Sequence, residues 1–239
     1  MDVDSLSTLQ TPPSPKRFWH PRDDGGFYRA KRTRPFWAAV HLLVQGALST
    51  AVYQACLAWT ARRGDAGRLY ANWELSIPFI PAMIVPYLSV YLLFILTYFA
   101  ARDVDELLRT SLRLTCGVMV SAACFLLFPL RSGFVRPPVE GAFAPWFRLL
   151  DSADAPFNMA PSLHVTTTVI LGATLAGVAR GGWRCAVLAW CAVIVLSTLF
   201  TWQHHVIDVI TGLTLGLACI VLIRPRANAR PTINPLATR

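Results

Sequence analysis

Residues 183–212 read WRCAVLAWCAVIVLSTLFTWQHHVIDVITG. From Cys185 to Phe200 the stretch carries no charge and only two hydroxyl side chains, Ser197 and Thr198. An apolar run of this length, over 183–203, is read as a membrane-crossing helix. The run then closes on two histidines, and Asp208 opens the next apolar run four residues after His204. Ionisable side chains are costly at membrane depth, so three of them at a junction of greasy segments call for a role.

The rest of the chain extends the same reading. Of 239 residues, 54% are hydrophobic and 15% charged, with a mean hydropathy of +0.46. Soluble domains carry about 25% charged residues. Six candidate spans occur, at 36–61, 76–100, 108–130, 162–180, 183–203 and 206–224. The expected fold class is all-α, an integral membrane bundle of six transmembrane helices. Three prolines in the first half of the second span predict a kink or a late helix start. Arg109 and Arg113 interrupt the third span, whose firm part is 114–130. Residues 1–35 form a basic tail expected to be disordered, 36–224 the membrane catalytic domain and 225–239 a C-terminal tail. The loop 131–160 carries Phe143, Trp146 and Phe147, which suit a membrane surface.

Basic residues set the orientation. Seven Lys and Arg lie in the N-terminal tail, three in the second loop, two in the fourth and four in the C-terminal tail, against six on the other side. Both termini are therefore expected in the cytoplasm and the loop 131–160 outside, in a cell membrane. Topology accounts for the net charge of +9, so the expected partners are membrane lipids and no nucleic acid. All six cysteines fall inside the spans without CxxC spacing and read as packing residues. His41, one turn before Gln45, reads as an internal hydrogen-bonding residue.

The fourth span begins at Ser162 and descends to the turn at 180–184, and the fifth climbs back. At 1.5 Å per residue, His164 lies about 25 Å above that turn and His204 about 33 Å. Both reach the outer rim. Asp208 shares a helical face with His204 at i+4 if the helix is continuous there. Two imidazoles and a carboxylate at one rim suit phosphoryl transfer: a His oriented by a carboxylate as nucleophile, a second His to protonate the departing oxygen. Ser162, at a helix start after Pro161, offers a hydroxyl and free N–H groups to phosphate. Arg131 and Arg136 can clamp the anion. The same His and Asp residues can also bind zinc, but no motif such as HExxH accompanies them.

These residues resemble the type 2 phosphatidic acid phosphatase superfamily. Pro161-Ser162-Leu163-His164 is similar to its second signature, usually PSGH. Ser197, His204 and Asp208 match its third, Ser-Arg-x5-His-x3-Asp, in type and spacing. The resemblance spans about 125–215 and implies a six-span bundle with its site at the outer face and no cofactor or metal. It implies His204 as a nucleophile forming a phosphohistidine, Asp208 orienting it, His164 as general acid, and Ser162 and Ser197 at the phosphate. His205, at i+3 from Asp208, lacks the family spacing. Thr198 stands where the signature has Arg, and Leu163 where it has Gly. Of the first signature, Lys-x6-Arg-Pro, only Arg136-Pro137 is present, with Pro129 at the Lys position. PSLH with this Thr is similar to the inositol phosphorylceramide synthase branch, which leaves two lipid-phosphate enzymes open, a phosphatase (on phosphatidic acid, a polyprenyl diphosphate or a related lipid) and a phosphotransferase. A non-catalytic transporter or scaffold is the rival of another class. Transporters favour inverted repeats and a midplane site, whereas here the ionisable groups gather at the rim.

Overall fold

The computed structural model describes residues 24–224, with side chains from Thr33 onward. The expectations for residues 1–23 and for the tail at 225–239 lie outside the described residues. Residues up to Arg34 make one unit and Pro35 onward a second, which carries every contact described below.

The helices in chain order are α1 (Asp24–Ala61), α2 (Ile84–Leu88), α3 (Val90–Ala100), α4 (Val104–Leu127), α5 (Ala144–Ala153), α6 (Leu163–Val178), α7 (Gly182–Phe200) and α8 (Val206–Leu222). Among the described residues there is no strand, only isolated bridges pairing Gly67 with Leu130 and Arg131 with Phe157. The protein is an all-α membrane bundle. Among the described residues four stretches are long and apolar enough to cross a bilayer: Thr33–Ala61, Pro81–Ala100, α4 and α7. Helices α6 and α8 occupy the fourth and sixth expected spans but have only 16 and 17 residues. That is about 24–26 Å of helix against a hydrocarbon core of about 30 Å.

The surface is inverted relative to a soluble protein. Leu43, Leu127, Trp183 and Leu222 are largely exposed, whereas Gln45 is 2% exposed. Outward apolar side chains suit lipid, and polar groups inside pair across the bundle, as at Gln45 and His41. Thr115 Oγ1 donates to Gln45 Oε1 at 3.1 Å, and His41 Nδ1 shares a 2.9 Å hydrogen bond with Ser111 Oγ. His41 is thus the internal hydrogen-bonding residue its surroundings suggested.

Departures from the expected spans have local causes. The proline-rich second span starts late, at Pro81, and breaks at Ser89 between α2 and α3. Helix α4 begins at Val104, before the two arginines, because Asp103 accepts from Glu106 N at 2.7 Å while Glu106 reaches back to Arg102 N. The Asp103 side chain is the N-cap, and Glu106 satisfies the N–H of the residue before it. Arg113 is accommodated because its guanidinium donates to the carbonyls of Ile220 and Ile223 at the end of α8, where a cation meets the negative end of the helix dipole. Gly181, at φ 55°, makes the left-handed turn that lets α7 start.

Helix α6 lies at the centre, touching α3, α4, α7 and α8. Its approach to α8 is closest at Gly212 and Gly216, a small-xxx-small pair. A Cβ at Gly212 would lie 2.7 Å from Ser162 O, and one at Gly216 2.8 Å from Val169 Cβ. Thr166 Oγ1 donates to Gly212 O at 3.1 Å and Ser162 N to Asp208 O at 3.0 Å. The starts of the two short helices are thereby tied together.

Candidate active site

Helix α7 does not run on into α8. Thr201 Oγ1 donates to Ser197 O, Trp202 takes a left-handed φ of 55°, and Thr198 O accepts from both Gln203 N and His204 N. The chain turns, and His205 becomes the N-cap of α8. The shared helical face expected for His204 and Asp208 is therefore replaced by a turn with a capping box. Asp208 Oδ2 accepts from His205 N at 2.8 Å, a carboxylate on the orphan N–H groups of a helix start. The two side chains still meet, with His204 Nδ1 3.5 Å from that same Oδ2.

His204 lines a pocket of about 260 Å³ together with Arg136, Asp154, Tyr53, Ser132 and Phe157. His204 Nδ1 and Asp208 Oδ1 are buried without a hydrogen-bond partner. Buried polar atoms are rarely left so, and a catalytic role is one of the explanations such a group can have. His164, in the first turn of α6, stacks on Tyr87 with ring centroids 4.1 Å apart, and its Nε2 is also buried and unpaired. It lies within electrostatic reach of His204 without lining the pocket.

The other candidates divide. Arg136 lines the pocket, ion-paired with Asp151 and with its guanidinium 5.0 Å above the Phe147 ring. Ser162 is fully buried and caps α6, its Oγ accepting from Val165 N at 3.3 Å. Ser197 is buried and donates to Ile194 O at 2.6 Å, within its own helix. Arg131 is exposed, its backbone bonded to Gly67. Ser162, Ser197 and Arg131 do not line the pocket. Thr198, at the signature Arg position, is buried and holds the His204 turn through its carbonyl.

His205 has a different environment from His204. Its ring is stacked between Tyr70 and Phe134, with centroids at 4.5 and 4.3 Å. Gly133 N–H donates to its Nε2 at 3.0 Å, and its Nδ1 faces Glu74 Oε2 at 3.3 Å. Nε2 is thus engaged, whereas Nδ1, like that of His204, is buried without a hydrogen-bond partner. Glu74, 3% exposed, also accepts from Val206 N at 2.7 Å and Ala71 N at 2.8 Å. Its place in the site went unread in the sequence, although it is the lone acidic residue between Asp65 and Asp103. Tyr53 and Asp154 went unread too, and no motif spacing marks them.

A family model for the PAP2 superfamily, the type 2 phosphatidic acid phosphatases, matches residues 77–222, more than half of the chain. The chain belongs to the PAP2 superfamily. Membership reaches upstream of the 125–215 stretch that carries the signatures and takes in α2 to α8. No curated protein matches the chain. PAP2 enzymes are generally phosphatases or phosphotransferases acting on lipid phosphates in membranes, and the chain is an enzyme of that type. Among the described residues no group of three or more His, Cys, Asp and Glu has the arrangement of a metal site.

Proposed function

We propose that this PAP2 protein is a lipid-phosphate phosphatase working through a phosphohistidine on His204. The observation that supports it is a pocket-lining imidazole whose Nδ1 faces the buried Asp208 carboxylate, which turns Nε2 toward the pocket. Nε2 attacks phosphorus as the ester P–O bond breaks. Asp208 stabilises the Nδ1–H imidazolium character that develops. His164 gives its proton to the departing alkoxide. Arg136, exchanging Asp151 for phosphate, holds the anion, and Ser162 caps the helix that carries His164. Arg131 and Ser197 have no part in this reading. Water then cleaves the N–P bond. Transfer of the phosphoryl-bearing group to a lipid alcohol would make the same site a phosphotransferase.

The test offers purified protein a panel that includes phosphatidic acid and a polyprenyl diphosphate, with free phosphate and new lipid products both measured. Free phosphate is expected, unaffected by EDTA and suppressed by vanadate, which mimics the transferring phosphoryl group. New phospholipid in its place would favour transfer, and loss in chelator with recovery in zinc a metal mechanism. No turnover of any lipid phosphate would favour the scaffold.

The basic-residue distribution supports a site on the non-cytoplasmic face of a cell membrane, with both termini and the 180–184 turn cytoplasmic. A cysteine at Ser152, an exposed position on α5, is expected to react with impermeant reagent from outside intact cells. Labelling only from the cytoplasmic side would invert the topology and move the chemistry with it.

A further inference from the structure

Asp154 follows α5 and lines the same pocket as His204. Its Oδ1 is held by two donors, the Tyr53 hydroxyl at 2.6 Å and Ala155 N at 2.8 Å. Its Oδ2 has no hydrogen bond among the described residues. The carboxylate is thus fixed in orientation with one oxygen free. Tyr53 belongs to α1 and Gln54 beside it donates to Ala153 O at 2.6 Å, so the first helix reaches into the site to set this one side chain. Such anchoring of a group that none of the three signatures contains asks for a purpose.

The second half-reaction supplies one. Hydrolysis of a phosphohistidine needs water in line with the N–P bond and a base to take its proton. That water comes from the pocket. Asp154 is on the wall of that pocket, which His164 does not line. We propose that Asp154 is the base for dephosphorylation. Water oxygen bonds to phosphorus, the N–P bond breaks, and its electron pair returns to His204 Nε2. The proton of the water passes to Asp154 Oδ2 and then to solvent. Burial raises the Asp154 pKa above the usual carboxylate range, opposed by the Tyr53 and Ala155 donors and by the His204 and Arg136 charges. A carboxyl so shifted is a stronger base than a solvated one.

The proposal rests on the His204 mechanism and has its own test. Full-length protein is reacted with radiolabelled lipid phosphate and quenched in alkali, in which phosphohistidine survives. Asp154→Asn is expected to label at the wild-type rate and to lose label about 100-fold more slowly, so that phosphoenzyme accumulates. Asp154→Ala should behave alike, with decay accelerated by added formate, a response no packing role would give. Decay at the wild-type rate in Asp154→Asn overturns the proposal. So does labelling slowed in parallel with turnover, or a slow decay in Asp154→Ala that formate leaves unchanged. Label that is acid-stable or survives His204→Ala overturns the nucleophile itself, and this step with it.

Discussion

His204→Ala is expected to abolish lipid-phosphate turnover, a loss of about 10⁴-fold or more, because removing a covalent nucleophile removes the reaction path. The neighbouring histidine provides the contrast. His205 is stacked between Tyr70 and Phe134 and bonded by Gly133 N–H, so His205→Ala opens a cavity and leaves Glu74 facing a void. Thermal stability should fall, as for other large-to-small core changes, by about 2–5 kcal/mol. An acid-labile phosphoenzyme should still form. Asp208→Asn separates charge from architecture. Its side-chain oxygen can go on accepting from His205 N, so the start of α8 survives, while the carboxylate beside His204 Nδ1 is gone. Turnover should fall by about 10⁴, as when an amide replaces the acid of a hydrolytic triad. Rapid phosphoenzyme chemistry and single-turnover kinetics read all three. A labelled His204→Ala beside an unlabelled, folded His205→Ala would transfer the assignment to His205.

That contrast could not be drawn from spacing alone. The family spacing picked His204, and only the shared helical face at i+4 assumed a continuous helix; the structure brings the same pair together through a turn. The turn depends on the left-handed Trp202 and on Thr198 O, and neither is signalled by residue type. The membrane helices were legible because 18-residue apolar windows report burial in lipid directly, and the proline-rich start of the second span told where helix fails. The α4 start was legible in principle from Asp103-x-x-Glu106, but charge at Arg109 and Arg113 hid it. Helix α5 was also within reach. Phe143, Trp146, Phe147 and Leu150 recur at the helical period, and Phe147 and Leu150 bury against Ile84 and Tyr87. Asp154 and Glu74 were not legible. Their roles come from partners about a hundred residues away, Tyr53 and Val206, and no local pattern encodes such a pairing.

Gly212→Val is expected to cost both fold and function. The site exists because α6 and α8 approach within backbone contact, and Gly212 is where side chains are excluded. A Cβ there would stand 2.7 Å from Ser162 O and 3.0 Å from Val165 Cβ. The first is a carbonyl at a helix cap, with no rotamer to turn aside. The helices must part at the end that carries Ser162, His164 and Asp208. Parting weakens the Thr166–Gly212 and Ser162–Asp208 hydrogen bonds and withdraws His164 from His204. Overpacking of this kind costs about 1–3 kcal/mol, and a misplacement of 1 Å can cost about 10²-fold in rate. Gly46→Val is the matched control, since a Cβ at Gly46 meets nothing within 4 Å. Thermal unfolding in detergent, followed with turnover, should show a destabilised and nearly inactive Gly212→Val beside a Gly46→Val that keeps both properties. Wild-type stability and rate in Gly212→Val would mean that α6 and α8 do not meet here, and that the catalytic groups are assembled by other contacts.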